Sequence, residues 1–191
     1  MTLICFGDSN TWGYDARSYL GGRYDEGTRW PCLLSSALGA EVRELGENGR
    51  CVPHTAAEHS RALAELRRAA PADWLLVMLG GNDLLTADEP LAETPAARME
   101  LFLPRARALP ALARARTLLI APPPFVRGAW VGTDRLVSES RRLAGLYGRV
   151  AARLGISFLD AGALPLQYDG VHFTEEAHRL LAGKLAAFIR G

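Results

Sequence analysis

Short apolar segments alternate with amphipathic ones along this chain, and that alternation limits its fold more than any other feature. The segment 74–79 is apolar at every position, as in a central parallel strand, whereas the polar segment 41–45 suits a sheet edge. Strands that alternate with helices indicate βαβ units, whose right-handed crossovers place helices on both faces of the sheet. The five predicted strands are 3–6, 41–45, 74–79, 117–121 and 156–159. We therefore predict an α/β fold, with a single flavodoxin-like doubly wound domain over residues 1–191 and a five-stranded parallel sheet.

Helix signals lie between and after these strands. Thr94 predicts a helix start, and Pro104 is expected to kink or break that helix. An apolar stripe over 133–154 predicts a long helix that ends at Gly155, and Thr174 is placed to cap a last helix.

Charge and hydropathy exclude several classes of protein. The net charge of the 191 residues is +1, from 22 basic and 21 acidic side chains, which gives no electrostatic footprint for nucleic acid or an anionic membrane. No apolar run approaches the ~20 residues of a membrane span. The first strand starts within two residues of Met1 and leaves no room for an export signal, so we expect a cytoplasmic protein. Three cysteines without paired or metal-like spacing do not indicate a disulfide framework.

Polar residues follow the predicted strands where each strand ends. Ser9 stands just after the first strand, Gly46 after the second and Asn82 after the third, and a loop with Asp169 and His172 follows the fifth. In open parallel sheets, reactive groups lie beyond the carboxyl ends of the strands. We therefore expect these residues to meet at one edge of the sheet.

The loop Asp169-Gly170-Val171-His172 supplies a candidate base for Ser9. Asp169 is placed to accept a hydrogen bond from one ring nitrogen of His172, which leaves the other nitrogen to take a serine proton. Alone, such a pair is more typical of a capping acid beside a surface histidine. Together with the polar residues after the other strands, it favours a serine nucleophile.

Four segments together resemble the sequence blocks of the SGNH hydrolases, also called GDSL-type esterases. They are Gly7-Asp8-Ser9-Asn10, Gly46, Gly81-Asn82-Asp83 and Asp169-Gly170-Val171-His172. The resemblance spans nearly the whole chain and is strongest to arylesterase and acyltransferase members. It implies the SGNH hydrolase fold. Because the sequence lacks nucleotide-binding glycine motifs and a metal-like set of ligands, we expect an enzyme that needs no cofactor or metal.

The resemblance also implies a role for each motif residue. Ser9 is expected to be the nucleophile, His172 the general base and then acid, and Asp169 the residue that orients His172. The N–H groups of Ser9 and Gly46 and the amide of Asn82 are expected to form the oxyanion hole, with Gly49 as the alternative to Gly46. Arylesterase-like members often carry threonines where this chain has Cys51-Val52, so their substrate preference is not carried over.

Three aromatic residues are candidates for substrate binding. Trp12 follows Ser9 closely enough to form a wall of the acyl pocket, although packing of the loop explains it equally well. Phe125 and Trp130 follow three prolines and could form a lid, an interface between subunits of a homo-oligomer, or an ordinary surface loop. His54 and His59 lack ligand spacing, and we expect both to be exposed.

The sequence therefore predicts a serine esterase that acts on small carboxylic esters with short acyl or aryl groups. An acyltransferase, a perhydrolase or a carbohydrate deacetylase would use the same site. A non-catalytic flavodoxin-like module that binds an anion is the alternative of another class. No G-x-S-x-G elbow or nucleotide-binding glycine motif occurs in the sequence.

Overall fold

A computed structural model describes residues 1–18 and 20–191 and confirms the predicted α/β architecture. Its five strands form one parallel sheet in the order β2-β1-β3-β4-β5. The strands are β1 (Thr2–Gly7), β2 (Glu41–Gly46), β3 (Trp74–Met78), β4 (Arg116–Ala121) and β5 (Ser157–Asp160). The polar strand β2 lies at an edge, as its composition predicts, and the apolar β3 lies in the centre.

Helices connect the strands and cover both faces of the sheet. They are α1 (Ser9–Trp12), α2 (Trp30–Leu38), α3 (Ala56–Ala69), α4 (Gly81–Leu85), α5 (Glu93–Arg107), α6 (Asp134–Leu154) and α7 (Glu175–Arg190). The predicted caps are found at α6, which starts after Thr133 and ends at Gly155, and at α7, which starts after Thr174. None of the helices in the described part of the chain is both long and apolar enough to cross a membrane.

Side chains that alternate along the strands divide the core into two layers. Ile4, Phe6 and Val77 point to the layer covered by α3, α5 and α6. Leu3 and Leu76 point to the layer covered by α2 and α7. Because both faces are buried, the central strands are apolar throughout, as expected for a parallel sheet.

Three local expectations are wrong, namely the start of the fifth helix, its break at Pro104 and the exposure of His59. The fifth helix begins at Glu93 rather than after Thr94, and it continues through Pro104 to Arg107. Pro104 lies in the last turn, where little helix remains to be disrupted. His59 is buried, with its ring 6.1 Å from that of Phe102, because this face of α3 packs on α5.

Candidate active site

Ser9 begins the short helix α1 directly after strand β1. Asp8 caps this helix, and its Oδ1 accepts a hydrogen bond from the backbone N–H of Asn10 at 2.9 Å. This contact fixes the turn by a local side-chain to backbone bond. Ser9 is almost buried, with 6% of its surface exposed. Its hydroxyl therefore sits at the carboxyl edge of the sheet in a fixed turn.

His172 and Asp169 approach Ser9 from the loop between β5 and α7. Nε2 of His172 lies 3.0 Å from Oγ of Ser9, and Nδ1 of His172 lies 2.6 Å from Oδ2 of Asp169. The second carboxylate oxygen of Asp169 accepts the backbone N–H groups of Val171 at 2.9 Å and His172 at 3.0 Å. The structure thus brings together the three residues that the sequence proposes as nucleophile, base and orienting acid.

The two carboxyl groups near this cluster have opposite pKa shifts. Burial alone would raise the pKa of Asp169, but hydrogen bonds from the His172 ring and from two backbone N–H groups outweigh it and lower the pKa. Burial raises the pKa of Asp8 from 3.8 to about 6, and the N–H of Asn10 offsets only part of that effect. Asp169 is therefore the carboxyl that stays ionised beside the imidazole.

Asn82 lies in the first turn of α4, directly after β3. Its Nδ2 donates to the backbone carbonyl of Arg50 at 3.0 Å, which fixes the orientation of the amide. An amide carries two N–H donors, so one remains for another acceptor. Gly80 precedes the helix with a φ of 116°, a conformation that favours glycine.

The two candidate glycines for a backbone donor have different surroundings. Gly46 ends β2, and a Cβ there would collide with the backbone of Trp12, so close packing against α1 accounts for the glycine. Gly49 lies in the turn from Glu47 to Arg50, with a φ of 76°. The bond from Asn82 to Arg50 brings the Gly49–Arg50 region next to the amide.

Arg50 ties the 47–51 segment to the sheet. Its guanidinium donates to the carbonyl of Leu45 at 2.6 Å and to the carboxylate of Glu65 at 2.8 Å, and it lies over the ring of Phe6. A surface cavity of about 210 Å³ lies between this segment and α3. Ser9, Asp169 and His172 do not line that cavity.

Aromatic rings flank His172. The ring of Tyr14 lies 4.5 Å from that of His172, and the ring of Trp130 lies 4.9 Å from it, edge to face. Trp130 is 53% exposed, so it forms part of the open surface beside the histidine. Trp12 lies one ring further away, 6.5 Å from Tyr14, and Arg23 covers one of its faces.

Phe125 does not reach this surface. Phe125 is buried, and a Cβ on Gly81 would lie 3.4 Å from its ring. Phe125 therefore packs against the first turn of α4, which carries Asn82. Of the three aromatic candidates, Trp130 is therefore next to the histidine and Phe125 supports α4. The sequence analysis did not identify Tyr14 as a candidate beside the histidine. The available signal was its position two residues after Trp12.

Within residues 1–18 and 20–191, no group of three or more His, Cys, Asp and Glu side chains is arranged to hold a metal ion. The contacts of Ser9, His172 and Asp169 support proton transfer between the Ser9 hydroxyl and the His172 ring.

The chain is similar to proteins of known family and structure. The model of the GDSL-like Lipase/Acylhydrolase family matches residues 5–180. No curated protein matches the chain significantly.

Several solved structures share the fold over nearly their whole length. A proposed arylesterase from Agrobacterium tumefaciens is 32% identical, with 99% of this chain and 98% of that chain covered and a TM-score of 0.88. A carbohydrate acetylesterase family member from Sinorhizobium meliloti is 29% identical, with 99% and 97% covered and a TM-score of 0.87. The aryl esterase of M. smegmatis is 25% identical, with 99% and 98% covered and a TM-score of 0.85.

Proposed function

The chain is an esterase that belongs to the GDSL-like lipase/acylhydrolase family, and we propose that it hydrolyses small carboxylic esters through an acyl-enzyme formed on Ser9. Family membership confirms the resemblance of the sequence motifs. The observation that carries the proposal is the chain of contacts from Ser9 Oγ through the His172 ring to Asp169, at 3.0 Å and 2.6 Å.

The two half-reactions use the same proton path. Ser9 Oγ attacks the ester carbonyl carbon while His172 Nε2 takes the hydroxyl proton, and His172 then returns that proton to the departing alkoxide. Water attacks the acyl-enzyme in the second half, again giving a proton to His172, and the acid leaves as Ser9 recovers its hydroxyl. Asp169 keeps the imidazole in the required tautomer and stabilises its protonated form.

The oxyanion of the tetrahedral intermediate requires fixed neutral donors. We assign this role to the N–H of Ser9, the free N–H of the Asn82 amide and the N–H of Gly46 or Gly49. The bond from Asn82 to the Arg50 carbonyl supports the assignment, because an amide that is already oriented does not need to reorganise as charge develops.

The alcohol part of the ester should lie on the histidine side of Ser9, because His172 gives its proton to that group. Tyr14 and Trp130 flank the His172 ring there, and flat aromatic faces suit an aryl group or a sugar ring. The names of the similar structures, an arylesterase and a carbohydrate acetylesterase, agree with both choices. We therefore propose esters of short acids with aryl alcohols as the first substrates, and acetylated carbohydrates as the second.

Fluorophosphonate labelling tests the nucleophile. We expect intact-mass spectrometry to find one adduct on the parent and none on Ser9→Ala, whereas Ser60→Ala, which removes an exposed serine of α3, should label as the parent does. A series of p-nitrophenyl esters should show turnover that is lost with the same variant. A protein that binds anions tightly but neither labels nor turns over would instead be a binding module.

Acyl transfer to an alcohol is a second candidate. The rings of Tyr14 and Trp130 flank the His172 imidazole and provide apolar surface against which the carbon chain of an alcohol can pack, a contact that water does not gain. If transfer competes, adding ethanol to a p-nitrophenyl acetate reaction should divert product from acetate to ethyl acetate. If acetate is the sole product at high ethanol concentration, the enzyme is a hydrolase and the acyl-transfer candidate is wrong.

A further inference from the structure

The side chain of Asn10 forms hydrogen bonds on both sides of the proposed base. Its Nδ2 donates to the carbonyl of Val171 at 3.2 Å, and its Oδ1 accepts the N–H of Phe173 at 2.9 Å. Because one partner is an acceptor and the other a donor, they fix which way the amide points. Asn10 thus spans from the Ser9 turn to the two residues that flank His172.

Asn10 is itself held in place. Its backbone N–H donates to Asp8 at 2.9 Å, and its carbonyl accepts the indole N–H of Trp30 at 3.1 Å. The residue is buried, so its amide cannot exchange these partners for solvent without opening the structure.

Apart from its contact with Ser9, the hydrogen bonds of His172 lie within its own loop. The carboxylate of Asp169 accepts a hydrogen bond from the backbone N–H of His172 and contacts Nδ1 of its ring. Gln167 donates its backbone N–H to the His172 carbonyl at 2.7 Å. These bonds orient the imidazole relative to Asp169. They leave open how far the imidazole stands from Ser9, which belongs to a helix more than 160 residues away in sequence.

We propose that Asn10 is a positioning residue of the reaction, which fixes the 3.0 Å separation of Ser9 Oγ and His172 Nε2 by clamping the backbone at Val171 and Phe173. The inference rests on the proposed roles of Ser9 and His172. Asn10 contacts neither partner's reacting atom through its side chain, so it acts through the placement of the histidine.

The test compares Asn10→Leu with Gln167→Leu. Leucine has the same branching and number of side-chain heavy atoms as asparagine but cannot form hydrogen bonds with Val171 or Phe173. Gln167 is a buried amide of the same loop whose Nε2 donates to the Phe173 carbonyl at 2.8 Å, and it does not reach α1. Each substitution should lower thermal stability, so a purely structural role predicts similar losses of activity.

For Asn10→Leu we expect kcat on p-nitrophenyl acetate to fall by about 10- to 100-fold with KM nearly unchanged, because small misplacements of reacting groups are that costly. The rate of fluorophosphonate labelling should fall by the same factor, whereas Gln167→Leu should keep most of both. The downfield proton resonance of His172 Nδ1 should persist in Asn10→Leu, since its bond to Asp169 lies within the loop.

Three outcomes would overturn the inference: a folded Asn10→Leu with the parent's kcat, an equal fall in Gln167→Leu, or loss of the downfield resonance together with kcat. If Asn10→Leu does not fold, Asn10→Ser replaces it in the test. The serine side chain is too short to bond to Val171 and Phe173, and the expected results are the same. Failure of the parent to label at Ser9 would refute the proposed function. A parent that labels no faster than Asn10→Leu would refute this inference alone.

Discussion

Among single residues, Asn82 makes the most direct prediction for the rate. If its amide stabilises the oxyanion, Asn82→Ala should lower kcat by about 10²- to 10³-fold with little change in KM, because the donor acts on charge that develops only in the transition state. Thr86→Val is a suitable control, since it removes a hydroxyl that donates to the Asn82 carbonyl at 2.8 Å but leaves the amide in place. Steady-state kinetics on p-nitrophenyl acetate measures both. Equal losses of kcat in the two variants would assign the effect to disruption of the first turn of α4 rather than to loss of the Asn82 amide.

Asp8 makes a prediction about stability and pH. Its pKa rises from 3.8 to about 6 on folding because the carboxyl is buried, so between these values the folded state binds more protons and rising pH favours unfolding. Asp8→Asn keeps an acceptor for the Asn10 N–H but does not titrate. The variant should gain stability relative to the parent between pH 4 and pH 6, by up to about 3 kcal/mol for the shift from 3.8 to about 6. Urea unfolding at several pH values measures the difference, and a constant difference would contradict the prediction.

Residue chemistry made part of the site predictable. Ser9, Asn82 and the pair of Asp169 and His172 could be proposed because a nucleophile, a base and an amide donor follow strands that end at the same edge. The hydrogen bonds of Asn10 to the loop could not be predicted, because its partners are backbone atoms of Val171 and Phe173. A hydrogen bond to the backbone does not require a particular side chain at the partner residue, so the sequence does not reveal it.

At the scale of elements, the segment after the three prolines is joined to the Asp169 loop. Val126 N–H donates to the Gly170 carbonyl at 3.2 Å, and Trp130 N–H donates to the Asp169 carbonyl at 3.0 Å. Trp130 therefore reaches His172 because its backbone is paired with the loop that carries the histidine. This pairing is long-range, and no periodicity in the sequence reports it.

Gly128 tests whether that pairing matters for catalysis. A Cβ at this position would collide with the backbone of Asp169 and Gly170, whereas a Cβ at Gly132 would meet open space. We expect Gly128→Ala to reduce kcat at least about tenfold through displacement of Asp169, and to cost about 1–3 kcal/mol of stability through overpacking. Gly132→Ala should leave both nearly unchanged. Kinetics and thermal melts of the two variants give the comparison, and parent-like activity in Gly128→Ala would show that the two segments move independently.

The same contrast applies to whole elements. Strand β3 could be predicted because its residues are apolar on both faces, and helix α6 because its apolar residues form one stripe. The start of α5 and the burial of His59 could not, because both depend on neighbouring helices. Glu139 of α6 accepts the N–H of Ala92 just before α5, and Phe102 of α5 packs on His59. Local patterns specify an element, and its neighbours decide where it ends and which polar residue it can bury.

For the whole molecule, the layer between the sheet and helices α2 and α7 carries a buried histidine that links stability to acid. His178 accepts the backbone N–H of Trp30 at 3.3 Å and lies edge-on to the rings of Tyr24 and Phe173. Burial, assisted by the charge of Arg29, lowers the pKa of His178 from 6.5 to about 3. The folded state thus keeps this group neutral where the unfolded chain would protonate it.

The sign of its contribution is opposite to that of Asp8. Between pH 6.5 and pH 3 the unfolded state binds the extra proton at His178, so falling pH favours unfolding. Between pH 3.8 and about 6 the contributions of His178 and Asp8 largely offset each other, and the larger pKa shift of His178 leaves its contribution unopposed nearer pH 6.5 and pH 3. We expect His178→Gln, which keeps an acceptor for Trp30, to lose less stability than the parent as the pH falls from 6.5 to 4. The exposed His54→Gln is the control, and urea unfolding across this range makes the measurement. If His178→Gln and the parent lose stability in parallel, the acid sensitivity of the fold arises elsewhere.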